Sequence, residues 1–292
     1  MRARLACLVV GIAVAASHSA FAQDADMNLP PTAVAGNAFT IPTSGRGSAV
    51  LYIVGPGQAL RRNVQLGQAV SFDAGDIHTA GRYLAILVVG SSASATRKFN
   101  VVPAAQPEAL SFLAKPSRLP VGLHNGISGA AYVFDAYHNL ITTPIPVSFE
   151  LSNQGSTVQA QTVTTRNGVA WTAMNSAEKQ GSAKFVARVD GVSSTRVIQE
   201  VPGNPCRLTM SARPDGQRVE LETAPVRDCS GNPVPDGTIV TFTESYDGMQ
   251  STVDAPLKQG VARAEMPSYK GATISAASGV VAGNEIRWEG GR

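Results

Sequence analysis

The residues of this chain that could do chemistry are few and scattered. Of its 292 residues, four are histidine and three are cysteine. His78, His124 and His138 lie far apart in sequence, and none stands in an HxH or HExxH context. Zinc needs three or four converging ligands, and this spacing does not spell them out. Serines abound, but no Gly-x-Ser-x-Gly elbow is present. Gly45-Arg46-Gly47 and Gly55-Pro56-Gly57 match no phosphate loop, because no helical pattern follows them, and they read as hairpin turns. Arg61-Arg62 reads as a solvated strand edge. Asp228 and Asp236 are the nearest approach to a calcium pair, yet calcium takes several clustered oxygen ligands. No catalytic residue, cofactor or metal ligand is assigned. Tyr132, Tyr137, Trp171, Tyr246, Tyr269 and Trp288 could supply a sugar platform. Trp171, inside an alternating strand, reads as core, and Trp288, near the chain end, as exposed.

The cysteines depend on what precedes them. Residues 1–22 read MRARLACLVVGIAVAASHSAFA. Arg2 and Arg4 form a basic start, Leu5 to Ala16 is an uncharged apolar run, and Ala20-Phe21-Ala22 supplies the small residues of a cleavage site. This is the pattern of a secretory signal peptide cut after Ala22. The run is about 12 residues, short of the roughly 20 a spanning helix needs, and no other segment approaches that length. Removing it takes away Cys7 and leaves Cys206 and Cys229, which are 23 positions apart. In an exported chain such a pair reads as a disulfide. By loop entropy alone it would stabilise by roughly 3.5 kcal/mol.

Composition narrows the class. Charged residues are 15% of the chain, against about 25% in an average soluble domain. The net charge of +3 owes much to Arg2 and Arg4, so the mature chain is near neutral. That excludes the charged face of a nucleic-acid binder. Glycine and proline are frequent, at 28 and 18 residues.

The elements are short strands. Ser48–Val54, Arg82–Val89, Gly168–Met174, Ala183–Val189 and Thr238–Glu244 are β-branched or alternating runs. In Pro146–Leu151, Val147, Phe149 and Leu151 share one face, and Ser148 and Glu150 share the other. Turn residues recur roughly every 8–12 positions, as in an antiparallel sandwich. Two proline-containing junctions, Val101–Pro107 and Glu200–Pro205, end strands and stiffen linkers. They predict domains at 23–103, 104–202 and 203–292, so the chain reads as all-β, three tandem Ig-like β-sandwiches after a cleaved signal peptide.

An internal repeat supports the second junction. Asp135, Asn139 and Phe149 match Asp228, Asn232 and Phe242, each pair 93 residues apart. Gly168-Val-Ala then matches Gly260-Val-Ala. The segment Asp228-Cys-Ser-Gly-Asn-Pro-Val-Pro-Asp-Gly-Thr-Ile-Val-Thr-Phe242, followed by a Gly-Val-Ala strand, resembles the bacterial immunoglobulin-like repeats of the invasin and intimin type. Asp135 to Phe149 is a looser version, with Leu140 and Ile141 intruding before Pro144. The resemblance covers about residues 105–290 and implies an Ig-like fold. It carries no cell-entry role, since neither an outer-membrane barrel nor a C-terminal binding head of that family is recognised here.

The motif also has a physical reading. Asp and Asn bond nearby backbone and tolerate positive φ, while the prolines hold the chain extended into the next strand. Asp135 and Asp228 are thus expected to be structural. The first block lacks this motif. Its Asp76-Ile-His-Thr-Ala-Gly-Arg-Tyr83 resembles instead the tyrosine corner of Ig-like sandwiches.

The functional expectation is an exported, non-catalytic module that works by adhesion or envelope contact through loops and sheet edges. Its partner would be an unknown protein or glycan at the cell envelope or surface, in the periplasm or outside the cell, and not a nucleic acid. The rival readings are an enzyme or accessory subunit with a site in the first domain, and a periplasmic chaperone-like protein.

Overall fold

The computed structural model describes residues 25–153, 158–267 and 269–290. The expected signal peptide, 1–22, lies outside them. All regular structure among the described residues is β-strand, arranged as three Ig-like sandwiches in two compact units, which divide between Val102 and Pro103.

The first unit pairs a five-stranded sheet with a three-stranded one. The larger runs, in order, through Thr32–Val34, Ser92–Val102, Gly81–Val89, Ser48–Gly55 and Gln58–Gln65. The smaller holds Asp26–Met27, Phe39–Ser44 and Ala69–Phe72. Period-2 side-chain alternation explains the core. Ala49, Leu51 and Ile53 point in, while Tyr52 and Val54 are exposed. Tyr83 is fully buried, and its hydroxyl donates to the Thr79 carbonyl at 2.8 Å, with Gln58 Oε1 at 3.0 Å. This is the expected tyrosine corner, and burial raises its phenol pKa. Gly55 makes room for it, because a Cβ there would stand 2.1 Å from the ring.

The second unit contains two separate hydrophobic cores. One lies in the second sandwich, between a five-stranded and a three-stranded sheet. Its larger sheet runs Arg118–Pro120, Val192–Val201, Gly181–Val189, Pro146–Ser152 and Gln159–Thr164. This order repeats that of the first unit, down to the parallel edge strand at one side. The first block, divergent in sequence, thus has the same sheet. Phe112, Phe149 and Phe185 centre the second core, with Phe112 and Phe185 edge to face at 5.0 Å. Burying each such ring contributes about 1.5–3 kcal/mol.

The third sandwich keeps the frame and drops a strand. Its larger sheet runs Met249–Pro256, Ile239–Tyr246, Thr273–Ser278 and Val281–Arg287. Met210–Asp215 turns directly into Arg218–Thr223, so no parallel edge strand is inserted. Beside Val281–Arg287 the side chain of Asn284 does part of that work. Its Oδ1 accepts from the Met210 N–H at 2.7 Å, and its Nδ2 donates to the Met210 carbonyl at 3.0 Å. Cys206 and Cys229 meet near the entry to this sandwich, with Cα atoms 4.7 Å apart, inside the disulfide range.

Candidate functional site

Several of the chemistry-bearing residues of the sequence hold local structure. A His78 ring nitrogen lies 3.0 Å from Gln58 Nε2 and 3.2 Å from the Gly75 carbonyl. Arg62 pairs with Asp76 and covers the Phe72 ring, so this part of the basic pair is bound within its own sandwich. Among the described residues no three His, Cys, Asp or Glu side chains converge as a metal site.

Asp135 and Asp228 build the same loop twice. Asp135 Oδ1 accepts from the main-chain N–H groups of Tyr137 and Asn139, at 2.9 and 2.8 Å. Its Oδ2 accepts from Ala104 N–H at 3.0 Å and Asn139 Nδ2 at 2.9 Å. Asp228 Oδ1 takes Ser230 and Asn232 N–H at 3.0 and 2.8 Å, and its Oδ2 takes Gly203 N–H at 2.9 Å. Each carboxylate therefore ties its turn to the strand-entry segment that begins its own sandwich. The turn needs a left-handed residue, supplied by His138 at φ 60° in one copy and Gly231 at φ 83° in the other. Asp236 belongs to a separate arrangement. The N–H groups of Gln259 and Gly260 reach its two oxygens at 2.9 and 3.0 Å and lower its pKa. Asp228 and Asp236 thus serve different backbone donors.

The Asp228 loop also joins the second sandwich to the third. Asn232 Nδ2 donates to the Glu178 carbonyl at 2.6 Å, and Gln180 N–H donates to Asn232 Oδ1 at 3.2 Å. Under this contact the buried Glu200 accepts from Ala177 N–H at 2.7 Å and from Asn153 Nδ2. The segment 177–180 is the tip of the second sandwich, and the Asx loop of the third sandwich covers it.

Among the described residues, two depressions are lined by exposed aromatic side chains. The first is an open groove of about 820 Å³ where Gln159–Thr164 and Val169–Met174, edge strands of the two sheets of the second sandwich, run side by side. Trp171, Pro144 and Arg166 line it. Trp171 was expected in the core; it is 61% exposed, because Ala170, Thr172 and Met174 are the residues of its strand that face in. Trp288 reverses in the other direction. Expected at the surface, it is only 7% exposed and packs into the third core, since Trp288 N–H pairs with the Ala272 carbonyl and carries the ring under the sheet.

The second surface is the tip of the third sandwich. Tyr246 and Tyr269 stack at 5.0 Å with planes 9° apart. Met249 and Pro267 border them, and Glu244 lines the same depression of about 230 Å³. Glu244 is buried, burial raises its pKa, and the Tyr269 N–H hydrogen-bonds to its carboxyl. Its Oε1 has no hydrogen-bond partner among the described residues. The aromatics were among the sequence candidates and Glu244 was not. The signal was present in the alternation of Val240, Phe242 and Glu244, which puts an acid on the inward face.

No protein-family model matches the sequence, and no curated protein matches it. Solved structures do. The Escherichia coli adhesin FdeC matches with a TM-score of 0.61 at 16% identity, over 91% of this chain and 97% of that one. InvD of Yersinia pseudotuberculosis matches at 0.48 and 13% identity, over 87% and 92%. Invasin, a bacterial integrin-binding protein, matches at 0.44 and 12% identity, over 88% and 57%. The first of these establishes a shared Ig-like fold along nearly the whole chain. No helix among the described residues is long and apolar enough to cross a membrane.

Proposed function

We propose that this chain is an exported, non-catalytic adhesion-type module whose sandwiches, at 23–103, 104–202 and 203–292, present loops and edges to a protein or glycan at a cell envelope or surface. The observation that carries the reading is the combination of tandem sandwiches with exposed aromatic surfaces on two of them, Trp171 on one and the Tyr246–Tyr269 stack on the other. Contiguous exposed apolar surface rimmed by polar residues marks contact sites. The fold shared with FdeC, an adhesin, agrees with it. His78, Asp135, Asp228 and Asp236 hold backbone groups of their own or neighbouring loops, which favours binding over reaction at those residues.

The test is saturable binding of the labelled mature chain to intact cells. Protease-treated, glycosidase-treated and untreated surfaces are compared. Loss of binding after one treatment identifies a protein or a glycan partner. Binding that never saturates on any surface refutes the adhesion reading. The N-terminus of exported material is expected at Gln23, and a start at Met1 refutes export with cleavage.

A further inference from the structure

The two tips of the second unit differ at one amide. In the second sandwich Gln180 N–H is taken by Asn232 of the next sandwich. Strand pairing aligns Leu151 with Phe185, and Glu244 with Ile274. Counting back from those partners, Tyr269 stands in the third sandwich where Gln180 stands in the second. Its N–H is held by Glu244 of its own sandwich. Leu151, the counterpart of Glu244, is an ordinary core residue. The third tip has thus exchanged the amide that receives an Asx loop for a buried acid beneath two tyrosines.

We propose that this tip is a binding site for a lysine side chain of a partner protein. The inference rests on the adhesion reading and names the chemistry of one contact within it. Three features select that occupant. Glu244 Oε1 is buried and has no hydrogen-bond partner among the described residues, and an unpaired buried carboxylate is costly until a cation meets it. None of the described residues lining the depression is Lys, Arg or His; Lys270, next to Tyr269, lies beside Gly290 instead. The rings of Tyr246 and Tyr269 offer electron-rich faces to an ammonium, and Met249 and Pro267 give an apolar wall for the stem that carries it. Lysine fits better than arginine, because one carboxyl position is already given to Tyr269 N–H. A guanidinium is best held by both oxygens at once, whereas an ammonium is a compact charge satisfied by one. A sugar ring would use the tyrosine faces too, but it would not supply the missing charge.

The test follows the Met249 methyl and the two tyrosine rings by NMR in the full mature chain. The probe is Nα-acetyl-lysine methylamide. Its controls are the norleucine analogue, which has the stem without the charge, and methyl β-glucoside. The expected result is a saturable shift with the lysine probe and at least tenfold weaker binding of the norleucine probe. Glu244→Gln should weaken the lysine probe at least tenfold and leave the norleucine probe unchanged. The double variant Tyr246→Ala/Tyr269→Ala should abolish both, with thermal unfolding confirming that each variant folds. Equal binding of the lysine and norleucine probes, insensitivity to Glu244→Gln, or stronger binding of the glucoside overturns the proposal. If the wild-type chain adheres and the double tyrosine variant adheres equally well, the site falls and the adhesion reading stands. If the tip takes lysine but the chain binds no surface, the adhesion reading falls alone.

Discussion

The tip of the second sandwich and the tip of the third are built on one frame and end in opposite ways. Gln180 lends its N–H to the neighbouring sandwich, and the Glu178 carbonyl accepts from the same asparagine. Tyr269, in the equivalent place, is satisfied within its own sandwich by Glu244. One surface is covered by the Asx loop of the next sandwich; the other carries aromatic rings beside a buried acid. The difference shows how a repeated module becomes a joint or a face through two or three side chains, without a change of fold.

That comparison can be broken at graded cost. The largest effect is expected from opening the Cys206–Cys229 link, by reductant or by Cys→Ala at both positions. The third sandwich should lose roughly 3.5 kcal/mol while the second keeps its stability, as read by urea unfolding with a probe in each. Two free, alkylatable thiols in native exported protein would refute the bridge. Asp228→Ala should come next, costing about 2–3 kcal/mol, because several buried donors lose a charged acceptor at once. Asp135→Ala should cost a similar amount in the second sandwich; a large asymmetry between them would show that the two loops are not energetically equivalent. Asn232→Ala should cost about 1–2 kcal/mol and speed hydrogen exchange at Gln180 without changing exchange in the third core. That outcome would separate the joint from the domain it belongs to.

The smallest effect is a pH dependence. Burial raises the Glu244 pKa above its ordinary 4.5 in the folded chain. The unfolded chain therefore releases this proton first, so the folded state is penalised as pH rises from about 4.5 through the raised value. Below that window there is no penalty. Glu244→Gln should remove the dependence and raise Tm at neutral pH relative to wild type. Equal Tm-against-pH slopes for the two chains would show that the acid at the third tip carries no such penalty.

Sequence and structure agree most closely where chemistry is local. The Asp135–Asn139 and Asp228–Asn232 loops were legible because an Asx turn is closed within a few residues. Tyr83 was legible for the same reason, its acceptor being only four residues upstream. The third-sandwich acid was half legible. Alternation placed Glu244 inward, but its significance depends on Tyr246, at the end of the same strand, and on Tyr269, brought beside it by a separate loop.

From its residues alone this chain fixed an all-β architecture, a repeated turn carrying Asp and Asn, and a cysteine pair in the last repeat. Those follow from period-2 patterning, turn chemistry and counting. What only the tertiary structure decided was which of two alternating sets faces the core. Trp171 and Ala170 are neighbours on opposite faces, and a register set by cross-strand partners, not by their own strand, put the tryptophan outside and the alanine in. The same long-range pairing drew Trp288 into the third core and left Glu244 Oε1 without a partner among the described residues. Such outcomes depend on contacts between residues distant in the chain, where local preference has no say.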